Sequence, residues 1–397
     1  MIFWGLWIQI LLRGVWIHRG DGSLAVQGDV LISGDTIAAV SSVIAAQPGF
    51  TVIEARGKHL YPALVSLGTP VGLIEIEAVR ATRDNAEVGD FTPEASAYTA
   101  FNIDSRVLPT LRANGILYVE SVPQGGVIAG RSCVMRLSGR TREEAVANPV
   151  AALHIYPPSL RPSIYIAHED QKKAHENALA AWKRIENYLE QAKRWCLGDS
   201  TEQNISYAAL CPYLKGEKPT AWHVETAEDI EAAIKISQKY GLRSAIVGGS
   251  EAVRVAEVLR RNNIPVVLPR THRLPPSEDA PIDYSYTLPK VLLDSGVTVI
   301  LSHESFWNQR NLSYQAGTAS AYGVFSEQAV AMLTSVPARW LGLDRVGLIA
   351  PGYKASLVLC EGDITDVASS RVLRLWLEGR EVPLSDNPQE VLFNRYR

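Results

Sequence analysis

Apolar and polar positions follow two rhythms along this chain of 397 residues. Near the start they form short runs broken by turn residues. The run from Ile10 to His18 is strand-like, Gly20-Asp21-Gly22 marks a turn, and Asp29–Val40 spells a hairpin broken at Gly34-Asp35. The far end has the same texture: residues 355–360 and 371–377 are strand-like, and Glu378-Gly379-Arg380 is a turn. Two β-rich ends around a mixed centre predict a small β-sandwich domain built from residues 1–61 and 347–397, with residues 62–346 as a second domain.

The centre alternates strands with helices. Thr220–Val224 is strand-like, and Glu225–Tyr240 then carries Ile230, Ala233, Ile234 and Ser237 at helical spacing before Gly241. Strands at Arg243–Val247, Pro265–Pro269 and Val297–Ser302 alternate with helices at Glu251–Asn262, Tyr284–Ser295 and beyond, up to Trp340. Upstream, Leu64–Leu67 and Ile116–Glu120 are strands; Cys133–Leu137 and Ala151–Ile155 would bring the count to eight, and His168–Trp195 is a long charged helix. This alternation predicts a parallel sheet with helices outside it, an α/β fold of the (β/α)8 TIM-type barrel kind. An open doubly wound sheet has the same periodicity, but no GxGxxG follows a strand.

Composition narrows the function classes. Apolar residues make up 47%, charged residues 20%, and the net charge is −3 without a Lys/Arg cluster, so a nucleic-acid partner is not expected. The cysteines Cys133, Cys196, Cys211 and Cys360 are far apart and form no CxxC pair, which is read as buried free thiols and not as a zinc module or disulfide framework. The apolar start Met1–Leu12 is too short to span a bilayer and lacks the basic residues of a signal peptide, so a strand with a few apolar residues ahead of it is expected. The expected compartment is the cytoplasm; export is the alternative if that start is a clipped signal. An oligomer of like or unlike chains is expected.

Several phrases resemble the amidohydrolase superfamily, especially its imidazolonepropionase-like branch. They are Tyr61-Pro62-Ala63-Leu64-Val65 at the first central strand, Val336-Pro337-Ala338 with Leu341-Gly342-Leu343, and Gly347-Leu348-Ile349-Ala350-Pro351-Gly352 followed by Ala355-Ser356-Leu357-Val358. The resemblance implies hydrolysis of carbon–nitrogen bonds other than peptide bonds, at a metal held in the barrel mouth. Its metal motif, PGLIDxHxH, places two imidazoles on one strand face. Here the aspartate position is Ser66, and the two histidine positions are Gly68 and Pro70, which offer no side-chain lone pair. A family histidine is matched by His223, the next strand ends at Gly248-Gly249 without a ligand, and His303 stands where an aspartate closes the last strand.

Two readings follow. A rebuilt site of His223, Glu225 and His303 would hold zinc or another divalent ion; the alternative has these histidines lining a pocket without metal, and no cofactor is then expected. A metal-free hydrolase would use His303 as general base with Glu304 or Glu251 orienting it. A small-molecule ligand in the barrel mouth is expected to meet Arg80, Gln124, Arg270, His272 and Asn311, which follow strands. Activity is expected to be reduced or absent, the opposing possibility being a non-catalytic ligand-binding or complex-forming homologue.

Overall fold

The computed structural model describes residues 9–162, 167–198 and 203–397. The chain opens with β1 (Gln9–Ile17), β2 (Val26–Ser33), β3 (Thr36–Ser41), β4 (Phe50–Glu54) and β5 (His59–Pro62). The central strands are β6 (Leu64–Thr69), β7 (Ile116–Ser121), β8 (Ile128–Arg131), β9 (Cys133–Arg136), β10 (Val146–Asn148), β11 (Leu153–Ile155), β12 (Pro219–Val224), β13 (Arg243–Gly248), β14 (Val266–Leu268) and β15 (Val299–Leu301). Three strands end the series: β16 (Leu357–Cys360), β17 (Val372–Leu377) and β18 (Arg380–Val382). The apolar residues ahead of Gln9 lie outside the described residues.

Both chain ends enter one eight-stranded sheet in the order β18-β17-β16-β5-β1-β2-β3, with β4 against β1. Alternation along these strands gives the sheet its own core, with Leu12, Ile32, Leu60, Leu357 and Trp376 buried together. The turn between β17 and β18 needs glycine. Gly379 has φ +77° and approaches the Gly34 carbonyl so closely that a Cβ would lie 1.8 Å from its oxygen.

The central strands form two sheets, β10-β9-β7-β6 and β15-β14-β13-β12-β11-β8. They are joined because β8 and β9 are almost one strand, separated only by Ser132. They approach again on the other side. There the Ser302 hydroxyl donates to the Leu67 carbonyl, and Met332 and Leu333 accept from Leu301 N–H at 3.3 Å and Val65 N–H at 2.9 Å. The result is a mixed α/β body of the kind a TIM-type barrel provides, beside a β-rich unit.

One expectation needs correction. The sheet is not uniformly parallel, since β9 runs antiparallel to β7 and β8 antiparallel to β11. The cause is connection length. Between Ser121 and Ile128 there is no room for the crossover helix that a parallel return requires, so the chain doubles back.

The helix Ala227–Tyr240 shows how local sequence sets an element and aims a loop. The Thr226 side chain caps its start by accepting from Asp229 N–H, and Gly241 ends it at φ 72°. Asp229 is buried, and its carboxylate receives Leu160 N–H and the Ser159 hydroxyl, both at 2.7 Å, tying down the loop that carries Arg161.

The cysteine expectation is also corrected in part. Cys133 and Cys360 are buried free thiols, but Cys196 and Cys211 are joined in a disulfide. The helix His168–Cys196 is followed by a second helix, Ile205–Leu214, that packs back against it and brings the two Cα atoms to 5.7 Å despite 15 residues of separation. Thiol titration of the unfolded, unreduced protein is expected to give two groups, rising to four on reduction. Closing a loop of that size is worth about 3 kcal/mol, so a reductant should lower the urea midpoint. Four thiols before reduction would contradict the pairing. Among the described residues no helix is long and apolar enough to cross a membrane.

Candidate functional site: a buried Glu–His–His chain under a charged mouth

The C-terminal ends of β11 to β15 surround a cavity of about 810 Å³. β12 supplies its central imidazole through the two-residue period of a strand. Trp222 turns outward, fully buried and stacked on Trp182 at 5.8 Å, so His223 turns inward to the cavity. Tyr156, just beyond β11, lies parallel to the His223 ring with centroids 3.8 Å apart and fixes its plane.

Behind His223 the polar groups continue inward. His223 Nε2 meets His154 Nδ1 at 2.9 Å, and His154 Nε2 meets Glu120 Oε1 at 3.2 Å. Glu120 and His154 are 2% and 1% exposed, so this carboxylate lies in the interior. Its remaining capacity is taken up: the Ser132 hydroxyl donates to Oε1 at 2.7 Å and Gly68 N–H to Oε2 at 3.1 Å. Burial acts to raise the Glu120 pKa, but its interaction with His154 and the hydrogen bonds from Ser132 and Gly68 outweigh it and hold the group below the ordinary carboxylate value. Burial, then the neighbouring His154, pushes the His223 pKa well below the usual imidazole value, so His223 is a free base at neutral pH. Among the described residues its Nδ1 has no hydrogen-bond partner.

The mouth above is lined by three arginines, each matched to a glutamate. Arg273 Nη2 is 3.2 Å from Glu225 Oε2, Arg161 Nη2 is 3.0 Å from Glu251 Oε2, and Arg270 Nε is 3.1 Å from Glu304 Oε1. The pairs tie together the loops after β11, β12, β13, β14 and β15. Burying such pairs only partly makes each worth little in stability, but together they set the charge pattern a ligand meets.

The residues singled out by sequence are distributed unevenly. His223, Glu225, Glu304, Arg270 and Gln124 line the cavity. His303 is buried, and its Nδ1 accepts Ser305 N–H at 3.1 Å; burial lowers its pKa against the opposing pull of Glu304. Glu304 is 4.0 Å from that nitrogen and engages Arg270 instead. His272 and Asn311 line a separate hollow of about 660 Å³, where His272 Nε2 bonds the Thr318 hydroxyl at 2.5 Å. Arg80 sits in an exposed turn. The structure therefore brings together five of these nine residues, buries His303 outside the cavity lining, and leaves Arg80, His272 and Asn311 apart.

Glu120, His154, Ser132 and Tyr156 were not foreseen. A signal existed for Glu120, a lone charge in the otherwise apolar run Ile116–Val119, and for His154 between Leu153 and Ile155.

A divalent cation fits these groups poorly. Glu225 faces Arg273 and Ser250 N–H, His223 Nε2 is engaged by His154, and both Glu120 oxygens already accept from protein donors. Gly68 contributes only its backbone N–H, at φ +65°. Among the described residues no three His, Cys, Asp or Glu side chains are arranged to hold a metal ion.

The chain's likeness to known proteins agrees with the architecture. The model of the amidohydrolase family matches residues 160–382, more than half of the chain. A protein of Hapsidospora irregularis named Amidohydrolase tasK is 22% identical over 389 residues, covering 89% of this chain; the chain spans 39% of that relative's length. An amidohydrolase from Thermotoga maritima superimposes with a TM-score of 0.81 at 25% identity, over 94% of this chain and 99% of that one. The A. niger ochratoxinase follows the same fold with a TM-score of 0.56 at 14% identity, over 94% and 95%. By the extent of the family match, the chain belongs to the amidohydrolase family.

Proposed function

We propose that this chain is a hydrolase of carbon–nitrogen bonds in non-peptide amides, cyclic or linear, working in the cavity above His223. One observation carries the reading: a neutral imidazole lies at the floor of an 810 Å³ cavity, at the strand ends where barrel enzymes place their chemistry. The amidohydrolase relatives support the reaction class, and the phrases around Pro62 and Pro351 favour the imidazolonepropionase-like branch. In this reading β6, β7, the β8–β9 stretch and β11 to β15 form a (β/α)8-type barrel with one reversed strand, joined where Ser302 meets Leu67. Residues 1–61 and 347–397 make the accompanying domain.

The metal motif is lost in this reading, because Gly68, Pro70 and Gly248 replace ligands. Those same substitutions favour a second reading, a non-catalytic homologue that binds a ligand in the same mouth. Incubating the purified protein with lactams, hydantoins, imidazolones and linear N-substituted amides separates the two. Release of an amine or a ring-opened carboxylate by the wild-type chain supports hydrolysis. Ligand-induced thermal shifts without product support the binding homologue.

A further inference from the structure

We propose that Glu120, His154 and His223 form a cation-free proton relay, in which His223 takes a proton from a nucleophilic water and His154 and Glu120 position and stabilise it. The inference deepens the hydrolytic reading and rests on it for its substrate. It starts from hydrogen-bond bookkeeping. A carboxylate only accepts, so His154 Nε2–H donates to Glu120 Oε1. In the resting relay His154 is neutral, so its Nδ1 accepts and His223 Nε2–H donates to it across 2.9 Å. That arrangement leaves the lone pair on His223 Nδ1, the nitrogen without a protein partner among the described residues, on the side chain that lines the cavity.

The proton movements balance. A water bound in the cavity gives a proton to His223 Nδ1, while His223 Nε2–H passes to His154 Nδ1. The water oxygen bonds the amide carbon, and the carbonyl pair moves to oxygen. The positive charge now rests on His154, beside the buried Glu120 carboxylate, where it costs least. When the tetrahedral species collapses, the carbon–nitrogen bond breaks. His154 returns its proton to His223 Nε2, and His223 Nδ1–H protonates the leaving nitrogen. One amide and one water give one carboxylic acid and one amine, with the relay restored.

Three features are redundant for a merely structural cluster but suit a relay. Ser132 and Gly68 N–H hold the carboxylate so that one lone pair of Oε1 faces His154. Tyr156 stacks on His223 and fixes the direction of Nδ1. Glycine at position 68 takes the φ of +65° that presents its N–H to Glu120. His223 is the catalytic residue in this proposal; His154 and Glu120 are positioning residues.

The test reads His223 without any substrate. Diethyl pyrocarbonate acylates neutral imidazoles, and peptide mass spectrometry follows His223 and the exposed His272 in one sample. Glu120→Gln keeps the shape and removes the charge that stabilises the relayed proton. It should slow His223 acylation about tenfold at pH 7 while His272 reacts unchanged, and on any amide that is turned over it should lower kcat about 100-fold at constant KM. Ser132→Ala, a milder change, should slow His223 acylation by a smaller factor, and it decides the matter if Glu120→Gln does not fold. Equal His223 rates in the folded variants and wild type would overturn the relay. Slowed acylation with no amide hydrolysed would keep the relay and reject the hydrolytic reading.

Discussion

His154→Ala is expected to lower the free energy of unfolding by about 3–5 kcal/mol at pH 7, measured by urea denaturation. The variant removes the group that compensates a carboxylate only 2% exposed. A small cavity adds to the cost, but the stranded charge dominates, because burial then acts on Glu120 with only Ser132 and Gly68 to oppose it. The pH dependence separates these causes. In the wild type the folded Glu120 pKa lies below its unfolded value near 4.5, so its contribution is present above that pH and fades as pH falls through the folded value. In the variant burial, opposed only by Ser132 and Gly68, raises the folded pKa, so protonation relieves the strain and the deficit against wild type narrows as pH drops toward 4. A deficit that is constant with pH would mean that packing, and not charge, is what His154 supplies. His223 adds a term of like direction. Its folded pKa is lowered, so its contribution is present above the unfolded value of about 6.5 and is lost as pH falls below it.

His223→Ala is expected to reduce hydrolysis of any turned-over amide by about 10²- to 10⁴-fold in kcat, the range of a positioned general base. KM should change little, since the Arg–Glu pairs of the mouth and Gln124 remain in place to hold ligand. Steady-state kinetics on the best amide, with circular dichroism to confirm folding, checks this. Retention of most of the activity would move the chemistry elsewhere, to His303 first, which is buried between the cavity-lining residues Ser302 and Glu304.

The frame of the molecule was legible because periodicity reports burial. The hairpin at Gly34-Asp35, the helix ending at Gly241 and the strand carrying His223 all emerged where alternation or helical spacing placed them. The reversed β8–β9 stretch was not legible, because strand direction depends on what the connection can span and not on the strand's own residues. The Cys196–Cys211 pairing depended on two helices folding back on each other, which a separation of 15 residues does not encode.

At the site, the positions that replaced metal ligands were visible one by one, but their replacement chemistry was not. Glu120 and Gly68 belong to neighbouring strands, and His154 and His223 to another neighbouring pair. Only the assembled sheets place a carboxylate from β7 against a backbone N–H from β6 and an imidazole from β11. His303 and Glu304 showed the opposite failure. Adjacent in sequence, they suggested an acid–base pair, yet consecutive residues point different ways and Glu304 found Arg270 instead.

Elemental analysis of the purified chain, followed by calorimetric titration with Zn²⁺ and Mn²⁺ at pH 7, tests the cation-free centre most directly. The account predicts no stoichiometric metal, and no binding that depends on His223. One divalent ion per chain, held by the wild type and absent from His223→Ala, would contradict it.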